Sequence, residues 1–339
     1  MDATTQQRPL VEVRDLTVTF TSREETVSAV NGVSFDVMPG EVLCIIGESG
    51  SGKSVTMRSL MRLHPPRRTR VGGSVRVGEH DILALSERAM NAVRGALVSM
   101  VFQEPMTALD PVYTIGDQIA ETVLRHEGGS RRAAMARALE LLKMVKVPSP
   151  ERRLRAYPHE LSGGLRQRAM IALALSCRPS LLLADEPTTA LDATVQIQVL
   201  VTLRRLQREF GMAVIFVTHD LGVAAQIADQ VAVMYAGRII EHGSASDVLL
   251  RPAHPYTVGL LSSTVHGQPR GTEIEAIPGS PPDLRALPPG CSFAPRCRFA
   301  IPACTAGFPD PVPVGPDHTA RCIRMDAVRD AASAALALA

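Results

Sequence analysis

One short segment near the N-terminus constrains the fold of this chain more than any other. An apolar run from Val42 to Ile46 is followed by Gly47-Glu48-Ser49-Gly50-Ser51-Gly52-Lys53-Ser54, and then by a helical pattern that extends to about Leu63. A continuous apolar run of this length is typical of a strand that is buried on both faces. The eight residues match G-x-x-x-x-G-K-[ST] in full, and a strand before them with a helix after them is the context in which this motif binds phosphate.

The residue types of this loop suit a nucleoside triphosphate. Glycines let the backbone follow the phosphates closely, and successive N–H groups together with the start of a helix supply positive potential. A lysine at this place reaches the β- and γ-phosphates, and the hydroxyl after it binds Mg²⁺. We therefore expect ATP and Mg²⁺ as cofactors. The predicted binding residues are Gly47, Ser49, Gly50, Ser51, Gly52, Lys53 and Ser54.

A second predicted strand ends in two acids. Leu181 to Ala184 are apolar, and Asp185 and Glu186 follow them directly. Ligands of α/β sheets bind beyond the carboxyl ends of the strands. Asp185 is placed to hold Mg²⁺ through water, and Glu186 to polarise an attacking water as a general base.

Strand and helix patterns divide the chain into regions. Alternating strands and helices predict a parallel α/β core within residues 8–265, and a mainly helical block at about 112–178 interrupts it. From about residue 266 the sequence becomes rich in Pro and Gly with few periodic segments, which marks a boundary. We expect a small Cys-rich domain over 266–325 and a tail over 326–339.

Composition excludes some functions and predicts a location. The 36 basic and 34 acidic residues nearly cancel, there is no Trp, and aromatic residues make up 4%, so a nucleic-acid partner is not expected. The polar N-terminus does not resemble a signal peptide, and no run of 18 apolar residues occurs that could span a bilayer. We expect a cytoplasmic protein that reaches a membrane only through partners.

Four cysteines lie in the Pro/Gly-rich region, which has too few apolar residues to build a core of its own. Disulfides are rare in the cytoplasm, so four thiolates predict a metal staple. A tetrahedral sulfur site suits zinc or an iron–sulfur cluster, and unliganded thiols remain a third interpretation. The candidates are Cys291, Cys297, Cys304 and Cys322. The charged residues beside them are interpreted as solvated, namely Arg296, Arg298 and His318.

The segment Leu161-Ser162-Gly163-Gly164 resembles the signature motif of ATP-binding-cassette (ABC) proteins. From the residues alone, Ser162 is a candidate helix cap, and glycines after it allow an anion to approach. The resemblance implies that this anion is the γ-phosphate of ATP on a second subunit, so that Ser162, Gly163 and Gly164 complete the partner's site. It also implies a phosphate-loop α/β fold with an antiparallel β-subdomain, an inserted helical subdomain and a small Cys-rich C-terminal appendix.

Further positions match the same family. Gln103 resembles the glutamine that contacts Mg²⁺ and water, and Ala190-Leu191-Asp192 resembles the loop that crosses the dimer interface. His219 resembles the histidine that contacts the γ-phosphate, and Phe20 the aromatic residue that stacks on adenine. The resemblance implies a catalytic set of Lys53, Gln103, Glu186 and His219.

Two further segments are similar to dipeptide and oligopeptide permeases. They are Gln103 to Pro111 and the tetrad His254-Pro255-Tyr256-Thr257, and the Cys-rich region resembles the appendix of those proteins. The resemblance implies a [4Fe–4S] cluster on the four cysteines, with zinc as the alternative. It also implies a paralogous second ATPase, two membrane permease subunits, a substrate-binding protein outside the membrane, and a peripheral position on the cytoplasmic face.

Other functions stay open at this stage. The subfamily that this chain resembles also includes importers of nickel, glutathione and oligosaccharides, so the motifs do not determine the substrate. A non-transport ABC ATPase would usually carry two cassettes or a long coiled-coil insertion, and neither is present. A redox-regulatory protein built around the cysteines would not need an intact hydrolytic set. We therefore predict an ATPase that powers import of dipeptides or oligopeptides.

Overall fold

A computed structural model of the chain describes residues 8–189, 191–263 and 276–328. It divides into two compact units. Within the described ranges, the first unit comprises 8–11, 36–42 and 76–216, and the second comprises 12–35, 43–75 and 217–328. A strand that crosses the boundary between the units belongs to the unit that holds most of its residues.

The first unit carries most of the long helices. Its strands are β5 (His80–Asp81), β6 (Val98–Val101), β7 (Leu181–Asp185) and β8 (Ala213–Thr218). Its helices are α2 (Glu87–Val93), α3 (Pro105–Ala108), α4 (Ile115–Glu127), α5 (Arg131–Met144), α6 (Pro150–Arg153), α7 (Gly163–Ala174) and α8 (Ala193–Phe210). Helices α4 to α7 lie within the block predicted to be helical.

Two strands of the first unit explain how distant polar residues reach the same edge. Strands β6 and β7 pair in parallel, with Val98 opposite Leu181 and Val101 opposite Ala184. All residues of both strands are buried, as the apolar sequences of these strands require. Because parallel strands end on the same side of a sheet, the residues that follow Val101 and Ala184 emerge together.

The second unit contains the remaining elements. Its strands are β1 (Val11–Thr21), β2 (Thr26–Val37), β3 (Val42–Ile46), β4 (Thr69–Val77), β9 (Gln230–Tyr235), β10 (Arg238–Ser244), β11 (Val312–Gly315) and β12 (His318–Ala320). Its helices are α1 (Lys53–Ser59), α9 (Leu221–Ile227), α10 (Ala245–Leu250) and α11 (Pro255–Ser262). Strands β2, β1 and β4 are neighbours in one sheet, and β11, β12, β10, β9 and β3 follow one another in the other.

The C-terminal region joins this second sheet. Strand β12 pairs antiparallel with β10, through Glu241 opposite Ala320 and His242 opposite Thr319, and β11 pairs antiparallel with β12. The sequence did not predict either strand. The region lacks apolar residues for a core of its own, and backbone pairing with β10 is one interaction that holds it in place.

A buried carboxylate fixes the same region from inside. Glu241 is 1% exposed and accepts hydrogen bonds from the backbone N–H groups of Ala253 and His254, at 2.6 and 2.9 Å. His318 Nε2 lies 2.8 Å from its Oε1. A single side chain thus ties β10 to the start of α11 and to β12. The prediction that His318 is solvated is wrong, since it is 3% exposed.

None of the helices in the described ranges is long and apolar enough to cross a membrane.

Replacing Glu241 by Gln is expected to destabilise the fold. The amide of the new side chain faces backbone donors that need acceptors, so at least one buried N–H loses its partner. We expect the free energy of unfolding to fall by about 2 kcal/mol or more, measured by urea denaturation.

Glu25→Gln is the matched control, because Glu25 forms an exposed ion pair with Arg285 and such pairs contribute little. Equal unfolding midpoints for the two variants would show that the Glu241 network does not stabilise the protein.

Candidate functional site

The phosphate loop, residues 47–54, lies between β3 and α1 in the second unit. At Gly47 and Gly52 its backbone leaves no room for a side chain. Gly47 has φ +150° and Gly52 has φ +102°, values that side chains disfavour. A Cβ on Gly47 would lie 2.2 Å from the carbonyl oxygen of Met234, and one on Gly52 would lie 2.5 Å from that of Ala29. The glycines of the motif are therefore needed for the close passage of the loop past neighbouring strands.

The lysine of the motif is held within the loop. Lys53 Nζ donates to the carbonyl oxygens of Gly47 and Glu48, both at 2.7 Å. The backbone N–H of Gly237 donates to Ser51 O at 2.9 Å, so the loop is also pinned to the turn between β9 and β10. These bonds keep a positive charge beside the N–H groups of the loop, an arrangement that suits an anionic ligand.

The predicted general base lies in the first unit, at the end of β7. Glu186 Oε2 accepts hydrogen bonds from Gln103 Nε2 at 3.2 Å and from Thr189 Oγ1 at 3.0 Å. Gln103 follows β6, so the parallel pairing of β6 with β7 brings it to the carboxylate. Asp185 is fully buried. The structure thus brings together Gln103, Asp185 and Glu186 of the predicted site.

Glu186 adopts an unusual backbone conformation. Its φ is +44°, which costs energy for a residue with a side chain. Strain of this kind often accompanies functional sites, where the surrounding structure imposes it. The hydrogen bonds from Gln103 and Thr189 hold the side-chain carboxylate of this strained residue in place.

The signature segment opens helix α7 in the first unit. Ser162 occupies the position before the helix but makes no side-chain capping hydrogen bond, so the prediction that it caps α7 through its hydroxyl is wrong. A Cβ on Gly164 would lie 2.8 Å from Val195 Cγ1. Beside these residues is a cleft of about 540 Å³, to which Lys146 and Arg168 contribute positive charge.

Three other predicted residues have definite surroundings. Asp192 lines the same cleft and caps α8 by accepting from Val195 N at 3.0 Å. His219 is exposed after β8. The ring of Phe20 packs edge-on against His64 at 5.5 Å. Ala190 lies outside the described residues.

The four C-terminal cysteines border one small apolar cavity of about 20 Å³ in the second unit. Burial raises the pKa of Cys291 and Cys297, and raises that of Cys322 to about 11. Within residues 8–189, 191–263 and 276–328, no group of three or more His, Cys, Asp or Glu is arranged to hold a metal ion. The four cysteines nevertheless lie close enough together to border a single cavity.

Sequence reasoning missed three residues that contact either the predicted general base or the phosphate loop. Thr189 holds Glu186, and its place three residues after that glutamate was the only available signal. Tyr256 and Arg296 both bind Glu48 in the phosphate loop. Tyr256 belongs to a tetrad that the sequence singled out, whereas Arg296 was predicted to be solvated; that prediction is wrong, because Arg296 is 8% exposed.

Two family models match the chain. Residues 30–189 match the model described as ABC transporter. Residues 240–304 match the model described as oligopeptide/dipeptide transporter, C-terminal region.

Curated relatives are similar over nearly the whole chain. A putative peptide import ATP-binding protein of Brucella melitensis is 50% identical over 335 residues, covering 94% of this chain and 98% of that protein. The dipeptide transport ATP-binding protein DppD of Bacillus subtilis is 48% identical over 318 residues, covering 94% and 95%.

A solved structure shows the same core fold. The dimeric ATP-binding cassette MJ0796, in a post-hydrolysis state bound to ADP and Pi, is 30% identical with a TM-score of 0.63. The match covers 69% of this chain and 98% of that one.

Gly47→Ala is expected to weaken nucleotide binding at least about tenfold, because the new Cβ collides with a backbone oxygen and the loop must move. Binding is measured by titration calorimetry with Mg–ATP. Gly50→Ala is the control within the loop, since Gly50 also has positive φ but no neighbour within 4 Å of a Cβ. Equal loss in both variants would mean that backbone strain, and not the close passage at Gly47, governs the loop.

Proposed function

This chain belongs to the ABC transporter family of ATPases, and we propose that it is the ATP-binding and ATP-hydrolysing subunit of a membrane importer of dipeptides or oligopeptides. The peptide substrate is supported by the names of relatives about 50% identical and by the match of residues 240–304 to the oligopeptide/dipeptide C-terminal region. The observation that carries the hydrolytic role is the carboxylate of Glu186, which Gln103 and Thr189 hold at the ends of parallel strands.

The proposed roles of the site residues follow from their chemistry. Lys53 binds phosphate oxygens, and the loop N–H groups surround the same anion. Ser54 is proposed to bind Mg²⁺ through its hydroxyl. Asp185 and Gln103 are each proposed to bind Mg²⁺ directly or through water, since carboxylate and amide oxygens suit this ion. Bound Mg²⁺ would neutralise charge on the transferred phosphoryl group.

Water activation is proposed for Glu186. A carboxylate that receives two hydrogen bonds is held in one orientation, from which it can accept a proton from an attacking water. Gln103 and Thr189 donate to the same oxygen of Glu186. A displacement of Gln103 would therefore change the position of the Glu186 carboxylate. His219, exposed after β8, is proposed to contact the γ-phosphate, and Phe20 to stack on adenine.

A dimer is the proposed active unit. The cleft beside Ser162, Gly163 and Gly164 is open, glycine-lined and basic, which suits the phosphates of ATP bound by another subunit. Asp192 lies at the same cleft. We propose a paralogous ATPase as that subunit.

The remaining partners follow from the proposed import function. They are two transmembrane permease subunits and a substrate-binding protein outside the membrane, with this chain on the cytoplasmic face. The proposed domain limits are 8–265 for the cassette and 266–325 for the C-terminal region, followed by a tail over 326–339.

The four cysteines are proposed to hold a metal group, a [4Fe–4S] cluster or zinc. Four sulfur donors bordering one cavity fit either group in donor type. Burial raises the pKa of Cys291, Cys297 and Cys322, and binding of a metal cation would release the thiol protons to solvent, because thiolates are the ligands. The group would cross-link the segments that carry Cys291, Cys297, Cys304 and Cys322.

Transport tests the whole proposal. In cells that depend on this importer, Lys53→Ala is expected to abolish uptake of labelled di- and oligopeptides, because the phosphates lose their cation. Glu186→Gln is expected to abolish it while the purified chain still binds Mg–ATP, with hydrolysis lowered about 100-fold or more.

Glu140→Gln, which removes an exposed carboxylate paired with Arg137, is the matched control and should transport normally. Normal peptide uptake in the Lys53→Ala cells would refute the peptide assignment. Loss of nickel, glutathione or oligosaccharide uptake instead would identify one of those substrates.

The metal proposal predicts a measurable content. Anaerobically purified chain should contain about four irons with matching sulfide, or roughly one zinc without sulfide. Cys291→Ser should lower that content, whereas Cys177→Ser, outside the cavity, should not. Wild-type protein without iron or zinc would show that the cysteines are free thiols.

A further inference from the structure

Arg296, in the cysteine-bearing segment, forms a buried ion pair with the phosphate loop. Its Nη1 lies 2.7 Å from Oε2 of Glu48 and its Nη2 lies 3.0 Å from Oε1. The side chain of Arg296 is 5% exposed and that of Glu48 27%. Two parallel hydrogen bonds of this type fix the relative orientation of both groups and are stronger than neutral ones.

The rest of the guanidinium is fixed as well. Its Nε donates to Pro278 O at 2.8 Å and its Nη1 to the hydroxyl of Tyr235 at 3.3 Å. The carboxylate of Glu48 raises the pKa of Arg296. Arg296 therefore connects the phosphate loop, the segment at Pro278 and strand β9 through one rigid, permanently charged group.

A second side chain binds the main chain of the same loop residue. The hydroxyl of Tyr256 accepts a hydrogen bond from Glu48 N at 2.8 Å. Tyr256 is fully buried, and its ring packs against Tyr235 and Phe293 at centroid distances of 4.6 and 5.4 Å. The hydroxyl is therefore held in place by aromatic packing.

Glu48 is bound at each of its polar groups. Tyr256 accepts from its N–H, Lys53 donates to its carbonyl oxygen at 2.7 Å, and Arg296 pairs with its carboxylate. The phosphate motif itself allows any residue at this position, so these contacts serve something that the motif does not specify. Since Gly47 and Ser49 adjoin Glu48, its position sets where the loop N–H groups point.

We propose that Arg296 and Tyr256 are positioning residues that pre-form the phosphate loop for ATP, so that the C-terminal region sets the nucleotide affinity of the cassette. The proposal rests on the proposed ATPase function. A loop already held in its binding conformation loses less entropy on binding, and affinity rises accordingly. Neither residue contacts the ligand; both act through Glu48.

The test measures Mg–ATP affinity of the full-length chain by titration calorimetry. We expect Arg296→Gln and Tyr256→Phe each to raise Kd about fivefold or more, because a charged or buried hydrogen bond to the loop is lost. In the transporter assembled with its membrane subunits, the KM for ATP should rise similarly while kcat changes less than about twofold, since the catalytic carboxylate is untouched.

A double-mutant cycle separates positioning from general stability. If Arg296 acts through Glu48, Arg296→Gln has little further effect on Kd in a Glu48→Gln background. Arg296→Lys, which keeps one charged donor, should restore part of the affinity. Arg285→Gln is the control, since Arg285 belongs to the same region but pairs with Asp283 and Glu25 on the surface.

The outcomes distinguish this proposal from the proposed function. Wild-type chain that does not bind Mg–ATP refutes the ATPase function itself. Wild-type affinity in Arg296→Gln and Tyr256→Phe refutes the positioning role alone. So does a Kd that rises as much in the Glu48→Gln background as in wild type, because the effect then comes from the loss of a stable fold.

Discussion

The conformation of the phosphate loop is the constraint on which the second unit depends. Its glycines pass within contact distance of the backbone oxygens of Met234 and Ala29, so β3 must be buried beside β9 for the loop to start correctly. Parallel pairing of these strands, with Leu43 opposite Gln230 and Ile46 opposite Val233, supplies that geometry. The motif thus determines the packing of strands as well as the chemistry of phosphate binding.

The C-terminal region contributes to this arrangement in two ways. Its strands extend the sheet beyond β10, and Glu241 ties them to the start of α11. From that helix Tyr256 reaches the loop, and from the cysteine-bearing segment Arg296 does. A region with little core of its own is therefore attached to the phosphate loop.

Much of the cassette could be predicted from local pattern. The buried strands β3 and β7 and the long helices α4, α5 and α8 follow from apolar runs and helical periodicity. The place of Gln103 at the site was implied only by the resemblance to the ABC family, and the parallel pairing of β6 with β7 explains its contact with Glu186. Strands β11 and β12 could not be predicted, because they have only four and three residues and form by pairing with each other and with the distant strand β10. The roles of Arg296 and His318 were missed for the same reason: their partners Glu48 and Glu241 lie far away in the sequence, and a lone charged residue gives no sign of burial.

Hydrogen exchange of the full-length chain, with and without saturating Mg–ATP, is the most direct test of nucleotide binding by the phosphate loop. It follows the amides of residues 47–54 and 162–165 at low and high protein concentration. Bound ATP is expected to protect residues 47–54 at all protein concentrations. Residues 162–165 are expected to be protected only where this chain associates with its partner ATPase. Unchanged exchange of residues 47–54 at saturating ATP would contradict the claim that this loop binds the nucleotide.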